Sequence, residues 1–290
     1  MNCYNLGGHS GCGILLCENE DGTTFVRKVS KDIAYNDRLK VQCEKQRSFE
    51  SGAIRAPKVL GFGTDEKGLF YFDMEYIRGV TLAEYIKTIE IGKIRGLVEM
   101  LVKSIVPAEK SIVTPEQAQN TNRIFREKLA GLRESLTPLQ NPTVDQALDM
   151  LESHDWSGFA ASPCHGDMTL ENIIVRNDEA YFIDFLDSFY DCWLMDAGTL
   201  LQDVLAMWSY RFQSDVSMNT VLRLMVFRDL LLDAVEKIDP AYTVEICYAL
   251  LQKLVRIYPY TKDAQTYEFL NEKTAMVVEK LKARCGKCGH

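Results

Sequence analysis

The stretch "SPCHGDMTLENIIVRNDEAYFIDF", residues 162–185, constrains this chain more than any other. His165, Gly166 and Asp167 stand together, Asn172 follows five residues after Asp167, and Asp184 lies near the end of the apolar run "YFIDF". "NIIVR" and "AYFIDF" read as short strands from their β-branched and aromatic content. A charged or amide group carried into such surroundings loses its hydration and needs a partner. Any fold that places these runs together must therefore give Asp167, Asn172 and Asp184 something to hold. Either Asp167 or Asn172 alone would serve equally as a turn cap. As a set, the carboxylate and amide oxygens suit Mg²⁺, which takes few protein ligands and completes its shell with water and phosphates. Asn172 and Asp184 are the candidate metal ligands, and Asp167 is left to orient a hydroxyl and accept its proton.

The surroundings divide into two regions. Up to about residue 80 the chain is strand-rich: "GILLCE" and "TTFVRKVS" are separated by the turn signal "NEDG", and "RAPKVLGFG" and "GLFYFDMEYI" flank "TDEKG". A helix is expected between them, from about residue 34 to 51. After Gly79 the pattern turns helical. Thr81–Glu84 fits a capping box, Thr114-Pro115-Glu116-Gln117 repeats the logic with proline at the first helical position, and Asp239-Pro240 marks a further helix start. Apolar residues recur at three- and four-residue spacing from about 195 to 284. The expected organisation is a β-rich region over residues 1–79 and a helical region over 80–290, with a ligand in a cleft between the two.

With 290 residues the chain has ample apolar content for a core. No run of about eighteen apolar residues is present, so no membrane span is expected. The start, "MNCYNLGGHSGCG", lacks the pattern of a secretory signal. Nine cysteines at scattered positions point to free thiols in a reducing compartment, hence a cytoplasmic location. The formal net charge of −8 argues against a nucleic-acid partner.

H-G-D-x-x-x-x-N followed by I-D-F, residues 165–172 and 183–185, resembles the aminoglycoside phosphotransferase and choline kinase-like families of small-molecule kinases. The resemblance implies an α+β, protein-kinase-like bilobal fold, with a small antiparallel sheet and a larger, mainly helical lobe. It implies ATP and Mg²⁺ as cofactors, Asp167 as catalytic base, and Asn172 and Asp184 on the metal. His165 would brace the two metal-binding segments. Gly166 stands where protein kinases carry arginine, and Leu186 where they carry glycine.

The first region carries matching features in the same order. Ser10, Gly11 and Gly13 of "GGHSGCG" would let backbone amides approach phosphates. Strand alternation puts Val26 and Lys28 on one face and Arg27 on the other. Lys28 is the candidate phosphate lysine, with Arg27 as its rival. Kinases pair this lysine with a helix glutamate, for which Glu44 is the candidate and Glu50 the fallback. "FDMEYIRG" resembles the kinase hinge, which makes Met74 the gatekeeper and assigns adenine to the backbones of Glu75 and Ile77.

The acceptor is less defined. No Ala-Pro-Glu and no activation segment follow Asp184, which argues against a protein kinase. Asp187 and Asp196 are the candidate acceptor-site acids beside Asp167. Choline or ethanolamine kinases carry an acid immediately after I-D-F, where this chain has Leu186. An aromatic cage from Tyr190, Trp193, Trp208 or Tyr210 is conceivable. The basic end "KLKARCGKCGH" differs from the acidic C-terminus of aminoglycoside kinases. The "IDFLDSFYD" region is similar to phosphotransferases of bacterial surface polysaccharide synthesis, which points to a sugar or polyol hydroxyl. A nucleotide-binding pseudokinase is the alternative from another class. Cys285, Cys288 and His290 have metal-like spacing but lack a second cysteine pair for a closed zinc site. His9 and His154 read as ordinary surface or turn residues.

Overall fold

The computed structural model describes residues 2–7, 11–108 and 112–285. Contacts divide the chain into two compact units. The first holds residues 1–82, 165–167 and 171–188, and the second holds 83–164, 168–170 and everything from 189 onward. Most of the polar run near Asp167 therefore belongs with the N-terminal strands.

In the first unit a five-stranded antiparallel sheet has the order β1-β2-β3-β5-β4. The strands are β1 (Asn2–Asn5), β2 (Gly13–Glu18), β3 (Thr24–Val29), β4 (Val59–Thr64) and β5 (Phe70–Glu75). The expected turns close the hairpins. Between β4 and β5, the Asp65 carboxylate accepts the amides of Lys67 and Leu69 at 2.9 Å each, the Asx device that fixes tight loops. One face of the sheet packs on α1 (Asn36–Ser48), where Leu39 and Cys43 meet Phe70, Phe72 and Met74. On the opposite face Arg27 lies over Tyr71, 4.1 Å from the ring centroid, and grips Asp73 with two bonds of 2.7 and 2.8 Å. That contact removes Arg27 as a rival to Lys28.

A second, three-stranded sheet joins β6 (Val80–Thr81), β7 (Ile173–Arg176) and β8 (Glu179–Phe182). Asn177 and Asp178, at φ 51° and 62°, form the two-residue link of the β7–β8 hairpin. This is the left-handed pair that matches strand twist and that Asn and Asp tolerate. The loop after α1 is stitched to β8: the Arg55 amide donates to Ala180 O at 3.3 Å, and the Phe182 amide to Arg55 O at 2.8 Å. Gly79 packs directly on β7, so that a Cβ there would overlap the Val175 carbonyl oxygen and the Ile174 side chain.

The expectation of free thiols throughout is corrected at one pair. Cys3 and Cys17 are joined as a disulfide, because the β1–β2 register sets them directly opposite each other. Cys12, Cys43, Cys192 and Cys247 are buried and take part in no disulfide among the described residues. Burial pushes Cys43 up to about 11 and Cys192 up to about 12, so both stay protonated.

The second unit is helical: α2 (Leu82–Tyr85, begun at the boundary), α3 (Ile91–Ile105), α4 (Pro115–Leu136), α5 (Pro142–Ser153), α6 (Trp193–Val204), α7 (Met218–Ile238), α8 (Tyr242–Val255) and α9 (Ala264–Cys285). The capping box at Thr114 forms as expected, with Gln117 returning the bond. Thr81 instead ends β6, and the helix after it is only one turn. Asp239-Pro240 leads into α8 as expected: the Asp239 carboxylate accepts the Ala241 amide and its carbonyl the Tyr242 amide, each at 3.0 Å. Of the suggested aromatic cage, Trp193 and Tyr210 are buried, Tyr190 is half-buried with its edge against Phe125, and Trp208 is half-buried beneath Arg211. His154 is no plain surface residue. It stacks on Tyr248 with centroids 3.7 Å apart and bonds Glu245 at 2.8 Å. Among the described residues no helix is long and apolar enough to cross a membrane.

Replacing Gly79 by alanine should destabilise the protein by about 1–3 kcal/mol, the usual cost of forcing a methyl into packed structure. Urea unfolding of the Gly79→Ala variant against wild type checks this, and an unchanged midpoint would contradict the packing.

Candidate active site

β3 carries Lys28 opposite Phe72, on the face that packs against α1. The side chain is 2% exposed, and a buried ammonium needs hydrogen-bonding partners. Its Nζ donates to Gln42 Oε1 at 2.9 Å and also to the Asp184 carboxylate. The expected glutamate partner is therefore corrected. Glu44 is exposed and pairs with Arg47 on its own helix at 2.8 Å. Two residues along an α-helix correspond to about 200° of rotation, so a helix that turns Gln42 inward turns Glu44 out. Glu50, the fallback, is exposed beyond the end of α1.

His165 connects the two halves of the motif. Its Nε2 donates to Ile183 O at 2.7 Å and its Nδ1 accepts the Asp167 amide at 3.2 Å. Both bonds are satisfied only by the neutral ring protonated at Nε2. Asn172 Nδ2 donates to Asp167 O at 2.8 Å and reaches Asp167 Oδ2 at 3.3 Å. The Leu186 amide donates to His165 O at 2.9 Å. Asp184 itself adopts φ 61°, a left-handed backbone that aspartate tolerates better than most residues other than glycine. Asp167, Asn172, Asp184 and Lys28 are thus brought together within one unit.

Gly166 explains the missing arginine. Its φ is +92°, and a Cβ there would collide with Ser188 Oγ and lie 3.0 Å from Leu186 O. The segment after Asp184 thus lies directly on the loop that carries Asp167, and α1 secures it from the other side. Lys45 Nζ donates to Leu186 O at 2.9 Å, while Arg38 reaches the Asp187 carboxylate at 3.2 Å and its carbonyl at 3.3 Å. Asp187, a candidate acceptor acid, is held by Arg38. Asp196, the other candidate acceptor acid, is fully buried in the first turn of α6, within the interior of the helical unit.

Two contributors were not singled out from sequence. Gln42 is one. The other is Asp203 of α6, fully buried, which accepts the Leu170 amide at 2.6 Å and the Ser209 amide at 2.7 Å. It thereby anchors residues 168–170, the part of the loop that belongs to the second unit. The signal available was a charged residue set among leucines and valine near the end of that helix, "LLQDVL".

Of the phosphate-loop candidates, Ser10 lies outside the described residues, as do His9, Cys288 and His290. Gly11 is exposed with φ +76°, and Gly13 opens β2. Met74 is buried in the core of the first unit and receives a 3.4 Å contact from Gln46 Nε2. The Glu75 amide donates to Lys58 O at 2.9 Å, and Ile77 is 8% exposed.

The donor set fits Mg²⁺. With Nδ2 of Asn172 committed to Asp167, its Oδ1 is the end left to act as a ligand. The Asp184 side chain is 42% exposed and presents carboxylate oxygen. One carboxylate and one amide oxygen are too few for an all-protein cage, but suit a cation that keeps water and binds through substrate phosphates.

The Gly166→Ala variant should lose about 1–3 kcal/mol of stability, whereas Gly131→Ala, where a Cβ meets nothing within 4 Å, should not lose any. Paired chemical unfolding curves check the contrast, and equal midpoints would show that Ser188 and Leu186 do not press on the loop.

The family model described as "Phosphotransferase enzyme family" matches residues 15–224. No curated protein matches. Among solved structures, a thermostable mutant of aminoglycoside phosphotransferase APH(4)-Ia superposes with TM-score 0.64 at 16% identity, over 97% of this chain and 94% of that one. The amicoumacin kinase hAmiN, in complex with AMP-PNP, Ca²⁺ and Ami, gives TM-score 0.59 at 15% identity, over 96% and 88%. APH(2")-IIia, in complex with GDP and kanamycin, gives 0.56 at 16%, over 98% and 93%. At such identities the structural likeness establishes the kinase-like fold alone. The family match spans most of the sequence, and by it the chain belongs to the phosphotransferase enzyme family, as a small-molecule kinase.

Proposed function

We propose that this protein transfers the γ-phosphoryl group of ATP, with Mg²⁺, to a hydroxyl of a small molecule, and that the acceptor is a sugar or polyol of surface polysaccharide synthesis. The observation that carries this reading is the meeting of Lys28, Asp167, Asn172 and Asp184 in a single compact unit. Residues 1–79 bind the nucleotide, and the helical residues of 80–290 supply the acceptor surface. A cytoplasmic location fits the need for ATP.

Bound Mg·ATP supplies the electrophilic phosphorus and an in-line leaving group. The chain supplies position and charge, which is most of what a loose phosphoryl-transfer transition state requires. Asn172 Oδ1 and the Asp184 carboxylate hold the metal, and Lys28 offers its ammonium to the phosphate oxygens. The backbone at Glu75 and Ile77, beneath Met74, receives adenine, and the loop with Ser10, Gly11 and Gly13 covers the phosphates. Asp167 orients the acceptor hydroxyl and accepts its proton as the new O–P bond forms. Its carboxylate is aimed by Asn172 and by the His165 bond to its own amide.

A hydroxyl-rich acceptor is supported by the ligands named for structural neighbours: hygromycin B with ADP in one complex of APH(4)-Ia, and kanamycin in another phosphotransferase. Aminoglycosides, choline and ethanolamine are the competing acceptors.

A panel of sugars, polyols, aminoglycosides, choline and ethanolamine, incubated with Mg·ATP and followed by mass spectrometry, tests the acceptor class. A sugar or polyol gaining one phosphate supports the proposal, and transfer confined to an amine-alcohol overturns it. Asp167→Asn should lower kcat by about 10²–10⁴-fold while Mg·ATP affinity changes little. Near-normal turnover would remove Asp167 as the base. Asp184→Ala should instead weaken Mg·nucleotide binding in calorimetry about tenfold or more, and unchanged affinity would misplace the metal.

A further inference from the structure

The kinase reading assigns Lys28 to phosphate but says nothing of what aims it. A glutamate was expected and is absent from the contact: Glu44 faces away. What Lys28 meets inside the protein is Gln42, itself only 2% exposed. A lysine ammonium can only donate, so the Gln42 amide must turn its oxygen toward Nζ and its nitrogen the other way. The nitrogen has its own receiver: Nε2 donates to Tyr35 Oη at 3.0 Å. Tyr35 is in turn held at the start of α1, where its amide donates to the Asp32 carboxylate at 2.8 Å and the Lys31 ammonium lies 4.8 Å from its ring centroid. Three links, Tyr35 to Gln42 to Lys28 to Asp184, form one chain of hydrogen bonds.

We propose that Gln42, oriented by Tyr35, is the positioning residue for Lys28. This inference rests on the kinase reading above. One of the three Nζ–H groups is committed to a fixed, neutral acceptor inside the first unit, and the others stay available for an anion on the open side. Asp184 occupies that side here. With nucleotide bound, a phosphate oxygen would take that place and Asp184 would be a ligand of the metal. Gln42 does not touch substrate; it acts through Lys28. What positions Nζ is the acceptor oxygen of the side chain, which holds the ammonium at hydrogen-bond distance.

The test measures binding of Mg·AMP-PNP by calorimetry for wild type, Gln42→Leu, Gln42→Glu and Tyr35→Phe, with the unliganded unfolding temperature of each and a separate KM for ATP and for acceptor. Gln42→Leu keeps the shape and removes the acceptor oxygen. It should weaken Mg·AMP-PNP at least tenfold and raise KM for ATP without moving KM for acceptor. Gln42→Glu restores an oxygen opposite Nζ and should bring affinity back to within threefold of wild type. Tyr35→Phe loosens the amide and should cost two- to fivefold. Wild-type affinity in Gln42→Leu would overturn the proposal. So would an equal loss in Gln42→Leu and Gln42→Glu, or a parallel rise in both KM values, since each marks a merely structural role. Should Gln42→Leu fail to fold, Tyr35→Phe with wild-type affinity overturns it equally. Absence of Mg·AMP-PNP binding by wild type would instead defeat the kinase reading on which it rests.

Discussion

The ion pair between Lys28 and Asp184 closes a separation of 156 residues. It ties the third strand of one sheet to the segment that follows the last strand of another, and the site exists only where those two meet. Exposed ion pairs contribute little to stability, and buried ones carry a large desolvation cost. With the lysine enclosed and the carboxylate partly open, this pair is better understood as a constraint on position than as a source of stability. The surrounding bonds have the same character. Gln42 fixes the lysine from one side, and the left-handed backbone of Asp184 fixes the carboxylate from the other.

Around that pair the site is assembled from short-range parts. The β7–β8 hairpin, with its Asn177-Asp178 link, brings the end of β8 back beside Asn172, and the Ile183 amide donates to Asn172 O at 3.0 Å. His165 then spans from Asp167 to Ile183, so one imidazole sets the spacing between the loop of Asp167 and the segment that carries Asp184. Gly166 permits the close crossing of residues 186–188, and Lys45 and Arg38 hold that crossing down. Asp203 secures the few loop residues that belong to the helical unit. Each support is a charge-assisted or backbone bond to a buried or half-buried group, the kind that costs most to leave unmade.

Much of this was legible in the chain itself. The turn residues Asn19–Gly22 and Asp65–Gly68 separate the strands as their chemistry requires, and Thr114 with Pro115 opens α4 as its pattern requires. The misreadings have specific causes. Thr81-Leu82-Ala83-Glu84 satisfies a capping pattern, yet Thr81 pairs with Ile174 across β6 and β7, and sheet pairing wins over the local signal. Cys3 and Cys17 are unremarkable among nine scattered cysteines until the β1–β2 register sets them face to face. The acceptor-site reading of Asp196 implies access to a ligand, but α6 is buried along its whole length, which apolar periodicity in one helix does not reveal.

Residue types and spacings alone mark out the candidate chemistry: an aspartate, an asparagine and a second aspartate that would suit Mg²⁺ and a hydroxyl, and a lysine on a strand face shared with apolar residues. Local rules suffice there, because turn chemistry and two-residue alternation act over a few residues. Only the tertiary structure decided which α1 residue Lys28 meets. The apolar residues of α1, Leu39, Val41 and Cys43, stand at every second position and so define no single helical face. The rotation of the helix is set by the packing of Leu39 and Cys43 against β5, with Val41 left 43% exposed. That packing turns Gln42 toward the lysine and Glu44 toward water, and no pattern within the helix could have chosen between them.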